Sequence, residues 1–191
     1  MLVTKSKAND AIEAGITKNG GLNGSASGGG VFHVQCFDKD GNLKWEESAH
    51  NLVVNQGLQD MNTQYFKGSG YTAAWYLGLV TGPGASNTYA AGNTLASHAG
   101  WVEDTNYSDN RKTVTFGTAT TADPSVISNS ASPAVFSINA TTTIAGAFLT
   151  NVATGTSGIL FSVANFQSPG DRSVIIGDSL SVTYTFNLDA A

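Results

Sequence analysis

The sequence predicts a mainly β protein, an antiparallel β-sandwich or jelly-roll-like barrel with one or two short helices and an extended N-terminal arm. Three observations predict it. Short runs rich in β-branched and aromatic residues recur along the chain, separated by turn residues. The last run, "LSVTYTFNL", alternates strictly, with Leu180, Val182, Tyr184, Phe186 and Leu188 on one side and hydroxyls and an amide on the other. That is the pattern of a half-buried strand. The first thirty residues contain almost nothing to bury, and seven glycines lie between Gly15 and Gly30.

The arm covers residues 1–30 and the sandwich domain residues 31–191. Two readings of the arm stand side by side, a disordered tail or a segment that orders on a partner. Leu2, Val3, Ile12, Ile16 and Leu22 are its sparse apolar anchors. At about 3.3 Å per extended residue, thirty residues reach a neighbouring subunit. The second reading therefore places the arm on an adjacent copy or on the surface that the protein binds.

From Val31, "VFHVQCF" alternates as a strand, with Phe32, Val34 and Cys36 in phase. "NLKWEE" returns, with Leu43 and Trp45 on one face. "NQGLQDMNTQYF" reads as a helix with Asn55 as N-cap and Leu58, Met61 and Tyr65 on its apolar face. "AAWYLGLV" has strand length. "TLASHAGWVE" fits a short helix capped by Thr94, and "KTVTFGT" a strand with Val114 and Phe116 in phase. "AVFSINATTTIAGAFLTN" and "GILFSVANF" are strand-like. No repeat of fixed period is present.

Composition narrows the function. Charged residues make up only 12% of the chain, about half the usual share. A surface of hydroxyls and amides costs little to desolvate, so neighbouring subunits can cover much of it. With 9 Lys and Arg and a net charge of −5, no basic patch is available for phosphates, which argues against nucleic acid as a partner. No apolar run approaches the roughly 18 residues of a membrane span, and the first residues lack the apolar core of a signal peptide. The single cysteine, Cys36, allows neither an internal disulfide nor a cysteine-built zinc site. Synthesis in a reducing cytoplasm fits this cysteine usage.

The most loaded stretch is "FDKDGNLKWEE", where Asp38, Asp40 and Asn42 alternate around a glycine. A calcium loop of the EF-hand type needs glycine at position 6 and a bidentate glutamate at position 12. Counted from Asp38, glycine stands at 4 and Ala49 at 12. A hairpin turn is the better reading, and Asp38, Asp40 and Asn42 remain a weak calcium candidate. His33, His50 and His98 lack metal-ligand spacing, and no nucleophile elbow or phosphate loop occurs. No cofactor and no catalytic set is expected. Trp75, Tyr76 and Trp101 are either core or interface anchors, or together a stacking surface for sugars.

Five segments occur in order: "NLVVNQGL" (51–58), "WYLGLV" (75–80), "SHAGWVE" (97–103), "TIAGAFL" (143–149) and "GDSLSVTYTF" (177–186). This series resembles small virion structural proteins of tailed bacteriophages, over about residues 31–188. The resemblance implies a non-enzymatic protein of the virion, made in the host cytoplasm. It further implies a capsid decoration (cement) protein that binds the outer face of the major capsid protein as a homo-oligomer. Similar β-rich modules occur in tails and fibres, which keeps a carbohydrate-binding tail or fibre component as the alternative.

Overall fold

The computed structural model describes residues 26–68, 73–167 and 170–190. In chain order the elements are β1 (Ala26–Phe37), β2 (Leu43–His50), β3 (Leu52–Val53), α1 (Asn55–Lys67), β4 (Trp75–Thr81), β5 (Glu103–Asp104) and β6 (Lys112–Val114). Then follow β7 (Ser125–Ser128), β8 (Ala134–Ser137), β9 (Thr142–Thr150), β10 (Leu160–Asn165), β11 (Arg172–Val174) and β12 (Ser179–Ala190). They build two antiparallel sheets. One runs β2-β1-β12, and β7 and β8 share the far edge of β12. The other runs β3-β10-β9-β4, with β5 and β6 along the far edge of β4 and β11 beside the start of β9.

The two sheets pack face to face as a β-sandwich. Phe32, Val34 and Cys36 of β1 and Leu180, Val182, Tyr184 and Phe186 of β12 point inward. They meet Leu77 and Leu79 of β4, Ile144, Ala147 and Leu149 of β9, and Phe161 of β10. Across this core the Phe161 and Phe186 rings meet edge to face at 5.5 Å. The alternation of β1 and β12 thus has a direct cause: one face of their sheet is core and the other is open.

The second sheet is covered on both faces. Its outer face carries Val80, Phe148, Leu160 and Val163, packed under Val54, Leu95 and Trp101. The cover comes largely from the long connection between β4 and β5, which is pinned by Thr88 N–H donating to the Gly100 carbonyl at 2.8 Å and Asn55 N–H to Ala91 at 2.8 Å. Two-sided burial explains why β4, β9 and β10 read as nearly continuous apolar runs. Gly78 sits where the Phe148 ring crosses β4, and a Cβ there would collide with that ring.

Two asparagines complete the framework. Asn129, fully buried, stands in for a ladder partner between β7 and β8: Tyr184 N–H donates to its Oδ1 at 2.6 Å, and its Nδ2 donates to the Val182 carbonyl at 3.2 Å. Asn51 sits where the chain crosses from one sheet to the other. It accepts from Gly30 N–H at 2.6 Å and donates to the Tyr184 hydroxyl at 2.8 Å. Arg172 of β11 holds the Glu47 carboxylate of β2 at 2.8 Å, an ion pair between the sheets.

Three sequence expectations need correction. β1 begins at Ala26, so residues 26–30 belong to the sandwich and not to the arm. Gly30 lies so close to β12 that a Cβ would stand 2.7 Å from the Thr185 carbonyl oxygen. The glycines there permit close approach of the two strands. The helix exists, but its N-cap is Val54 without a side-chain bond, and Asn55 is its first residue. Of its expected apolar face only Met61 packs on the core; Leu58 and Tyr65 are exposed. Residues 94–100 form turns and not a helix, and Glu103 begins β5. Ser97 N–H does donate to Thr94 Oγ1 at 3.1 Å, as it would at a helix start, but Ser97 and Thr94 then close an isolated bridge.

Candidate functional site

The stretch from Asp38 to Asn42 is a tight turn joining β1 to β2. Asp38 Oδ1 accepts from Asp40 N–H at 2.9 Å and from Asn42 N–H at 2.8 Å, while Asn42 Nδ2 donates to Asp38 Oδ2 at 3.0 Å. These bonds, led by that from the Asn42 side chain, hold the Asp38 carboxyl below its ordinary range. Gly41 takes the positive φ of +83° that the turn requires. Asp40 pairs with Lys39 at 2.7 Å. The Asp38 oxygens therefore bond within the turn. Among the described residues, no group of three or more His, Cys, Asp or Glu side chains gathers to hold a metal ion.

The three aromatic candidates are not brought together. Trp101 is 3% exposed. Its indole lies against His98 at 3.8 Å and Phe148 at 5.3 Å, and its Nε1 donates to Asn93 Oδ1 at 3.3 Å. It anchors the loop cover on the outer face of the second sheet. Trp75 packs on the inner side against Phe161 at 5.3 Å. Tyr76, the next residue on β4, is half-buried on the opposite face from Trp75. Trp75 and Trp101 thus serve opposite faces of one sheet, as core anchors of two different clusters.

The loop cover is fastened by Arg111. Its Nε and Nη2 grip the Glu103 carboxylate at 2.8 and 2.7 Å, and its Nη1 donates to the Val152 and Gly155 carbonyls at 3.1 and 3.0 Å. The guanidinium also lies 5.3 Å from the Phe148 ring centre. With its donors taken up in this way, Arg111 is a fastener between loops. Asp104 is likewise satisfied within the fold, by Thr142 Oγ1 at 2.6 Å and Asn106 N–H at 2.8 Å.

The feature that sequence reasoning missed is an apolar groove at one end of the sandwich. Ala26 of β1 and Leu188 of β12 form one wall, Met61, Tyr65 and Phe66 of α1 with Trp75 supply the other apolar side chains, and Asp60, Asn62 and Gln64 of α1 add a polar edge. Its volume is about 680 Å³. Met61 and Trp75 also line a smaller cavity of about 180 Å³ between the sheets, closed by Phe116, Ile127, Phe161 and Phe186. Tyr65 and Phe66 stand 83% and 77% exposed, in edge-to-face contact at 4.9 Å. A signal was present in the sequence. Adjacent aromatics on a helix point about 100° apart, so a narrow core-facing stripe cannot hold both. The arm anchors Leu2, Val3, Ile12, Ile16 and Leu22 lie outside the described residues.

No family model matches the chain, and neither curated proteins nor solved structures yield a match.

Proposed function

We propose that the protein is a non-enzymatic structural component of a tailed-phage virion, a capsid decoration protein that binds the outer face of the major capsid protein as a homo-oligomer. The observation that carries this reading is the ordered motif series and where it falls. "NLVVNQGL" is the crossover into β3 and α1, "WYLGLV" is β4, and "TIAGAFL" lies in β9. "SHAGWVE" holds the Trp101 anchor and enters β5, and "GDSLSVTYTF" is the turn into β12. These segments lie on strands of both sheets and on the connections that join them.

Composition supports the same reading. A surface with few charges loses little on desolvation, and specific interfaces bury about 1,200–2,000 Å² in total. Repetition over a closed shell multiplies a modest affinity. Three of the buried charged groups are engaged in ion pairs that fasten the domain: Glu47 with Arg172, Arg111 with Glu103, and Asp178 with Lys44. The alternative, a sugar-binding tail component, rested on three aromatics acting together, and their separation on two faces of a sheet weakens it.

The test is mass spectrometry of purified particles. Decoration requires the protein in tailless heads at a copy number comparable with the capsid subunit. Its absence from tailless heads, with presence in complete particles, would move it to the tail.

A further inference from the structure

We infer that this chain binds copies of itself head to tail, with the turn at Ile175 and Ile176 of one copy seated in the apolar groove beside α1 of the next. The inference gives the homo-oligomer of the proposed function a specific contact, and in that respect rests on that reading. Three observations carry it. The first is an apolar corner. Ile175 and Ile176, 52% and 68% exposed, stand on a tight turn closed by Asp178 N–H donating to the Ile175 carbonyl at 3.0 Å. Such turns ordinarily carry Gly, Asn, Asp, Ser or Pro. Of its two central residues only Gly177, at φ +93°, follows that rule. The corner is also stiff. Gly177 N–H donates to the Ile138 carbonyl at 3.0 Å. The Asp178 carboxylate, paired with Lys44, accepts from Ile175 N–H at 2.9 Å. Leu43, 52% exposed, adjoins Lys44 on β2. Side chains held in place before contact lose little freedom on binding.

The second observation is the apolar area in the groove. Tyr65 and Phe66 are 83% and 77% exposed, and at about 150–250 Å² per aromatic residue the two present roughly 300 Å². A standard interface takes about 800 Å² from each partner, of which about 60% is apolar. The two rings alone thus supply more than half of the apolar area that one side of a stable contact needs. The third observation is placement. Ser179 opens β12 beside the corner, and Leu188 near its end is in the groove wall. At about 3.3 Å per residue the two features lie roughly 30 Å apart. A copy therefore cannot fill its own groove with its own corner. A groove set against a second groove would leave both hollows empty, whereas the corner enters one. Such a contact is heterologous, giving a ring where the rotation closes and an open chain where it does not.

Two variants of the full chain test this. Phe66→Glu spoils the groove and Ile176→Asp spoils the corner, each at an exposed position where the fold has little to lose. Sedimentation velocity is run at about 100 μM, where a Kd of about 10 μM leaves most chains bound. The inference expects wild type to assemble beyond the monomer and each variant alone to be monomeric. An equimolar mixture of the two variants should form a one-to-one dimer and nothing larger, because that pair holds one sound corner and one sound groove. A monomeric wild type would overturn the inference, as would two variants that assemble like wild type. Loss of assembly in Phe66→Glu with assembly kept in Ile176→Asp would overturn it in favour of grooves paired across a two-fold axis. Two monomeric variants that fail to pair when mixed would overturn it as well. The assay contains no capsid, so its failure is distinct from a failure of decoration, which the composition of tailless heads decides.

Discussion

Trp101→Ala separates a buried anchor from a ligand-stacking surface. The ring is 3% exposed and lies between His98 and Phe148, over a strand face that also carries Val80 and Leu160. Truncation of buried aromatics costs about 3–5 kcal/mol, part of it for the cavity left behind. Two details put this site at the lower end. The indole bond to Asn93 is long at 3.3 Å, and Asn93 Oδ1 also accepts from Ala90 N–H at 3.1 Å, so no buried acceptor is orphaned. The covering loop has also more freedom to settle than a central strand. We expect a loss of about 3 kcal/mol. At roughly 2–4 °C per kcal/mol for a domain of this size, Tm falls by about 6–12 °C. Urea unfolding followed by far-ultraviolet circular dichroism measures it, with Tyr76→Ala as the half-buried comparison on the same sheet. A loss below about 1 kcal/mol for Trp101→Ala would refute the anchor, and would return Trp101 to the surface where sugar stacking is possible.

Further outcomes follow from individual contacts. Asn129→Ala strips a partner from both Tyr184 N–H and the Val182 carbonyl. At about 1–3 kcal/mol for each buried group left unsatisfied, it should be among the most damaging polar truncations, as read by chemical denaturation. Gly78→Ala drives a methyl into the Phe148 ring and should cost about 1–3 kcal/mol by the same assay; a neutral result would mean that Phe148 does not cross β4. Asp38→Ala should shift Tm equally with calcium and with chelator, because the carboxylate bonds within its turn. A large rise in wild-type Tm on adding calcium would contradict this. The Asp38 carboxyl is depressed in the folded state, so its contribution is complete above the unfolded value of about 3.9 and is lost as pH falls through the lower folded value. Asp38→Asn should flatten that acid-side loss in melts below about pH 4.

The sandwich was legible because its most exposed sheet follows a simple rule. β12 has one face in the core and one open, so Leu180 to Phe186 alternate and Tyr184 and Phe186 are buried as their phase implies. The second sheet was legible as strands but not as a doubly covered layer. An apolar run such as "WYLGLV" says that both faces avoid water without saying what covers them. The start of β1 was hidden by its own composition. Gly28 to Gly30 carry low strand propensity, and the reason at Gly30 lies across the ladder, where the Thr185 carbonyl and the Tyr184 ring leave no room for a Cβ, while at Gly28 the Phe186 and Leu188 side chains would crowd one. The turn at Thr94 was misread because one hydroxyl-to-amide bond serves helix starts and tight turns alike. The adjacent Tyr65 and Phe66 hint at an exposed ring, but the groove itself could not be read from any one segment, since Ala26, Met61, Trp75 and Leu188 meet only in the fold.

The central claim, decoration of a capsid, is tested most directly by adding purified protein to shells of the major capsid protein that lack it. The account predicts saturable binding to the outer face, visible as added density at fixed positions of the shell lattice, and a higher temperature of shell disruption. Failure to bind intact shells at protein concentrations well above those of the assembled particle, or density confined to the tail of complete virions, would contradict it.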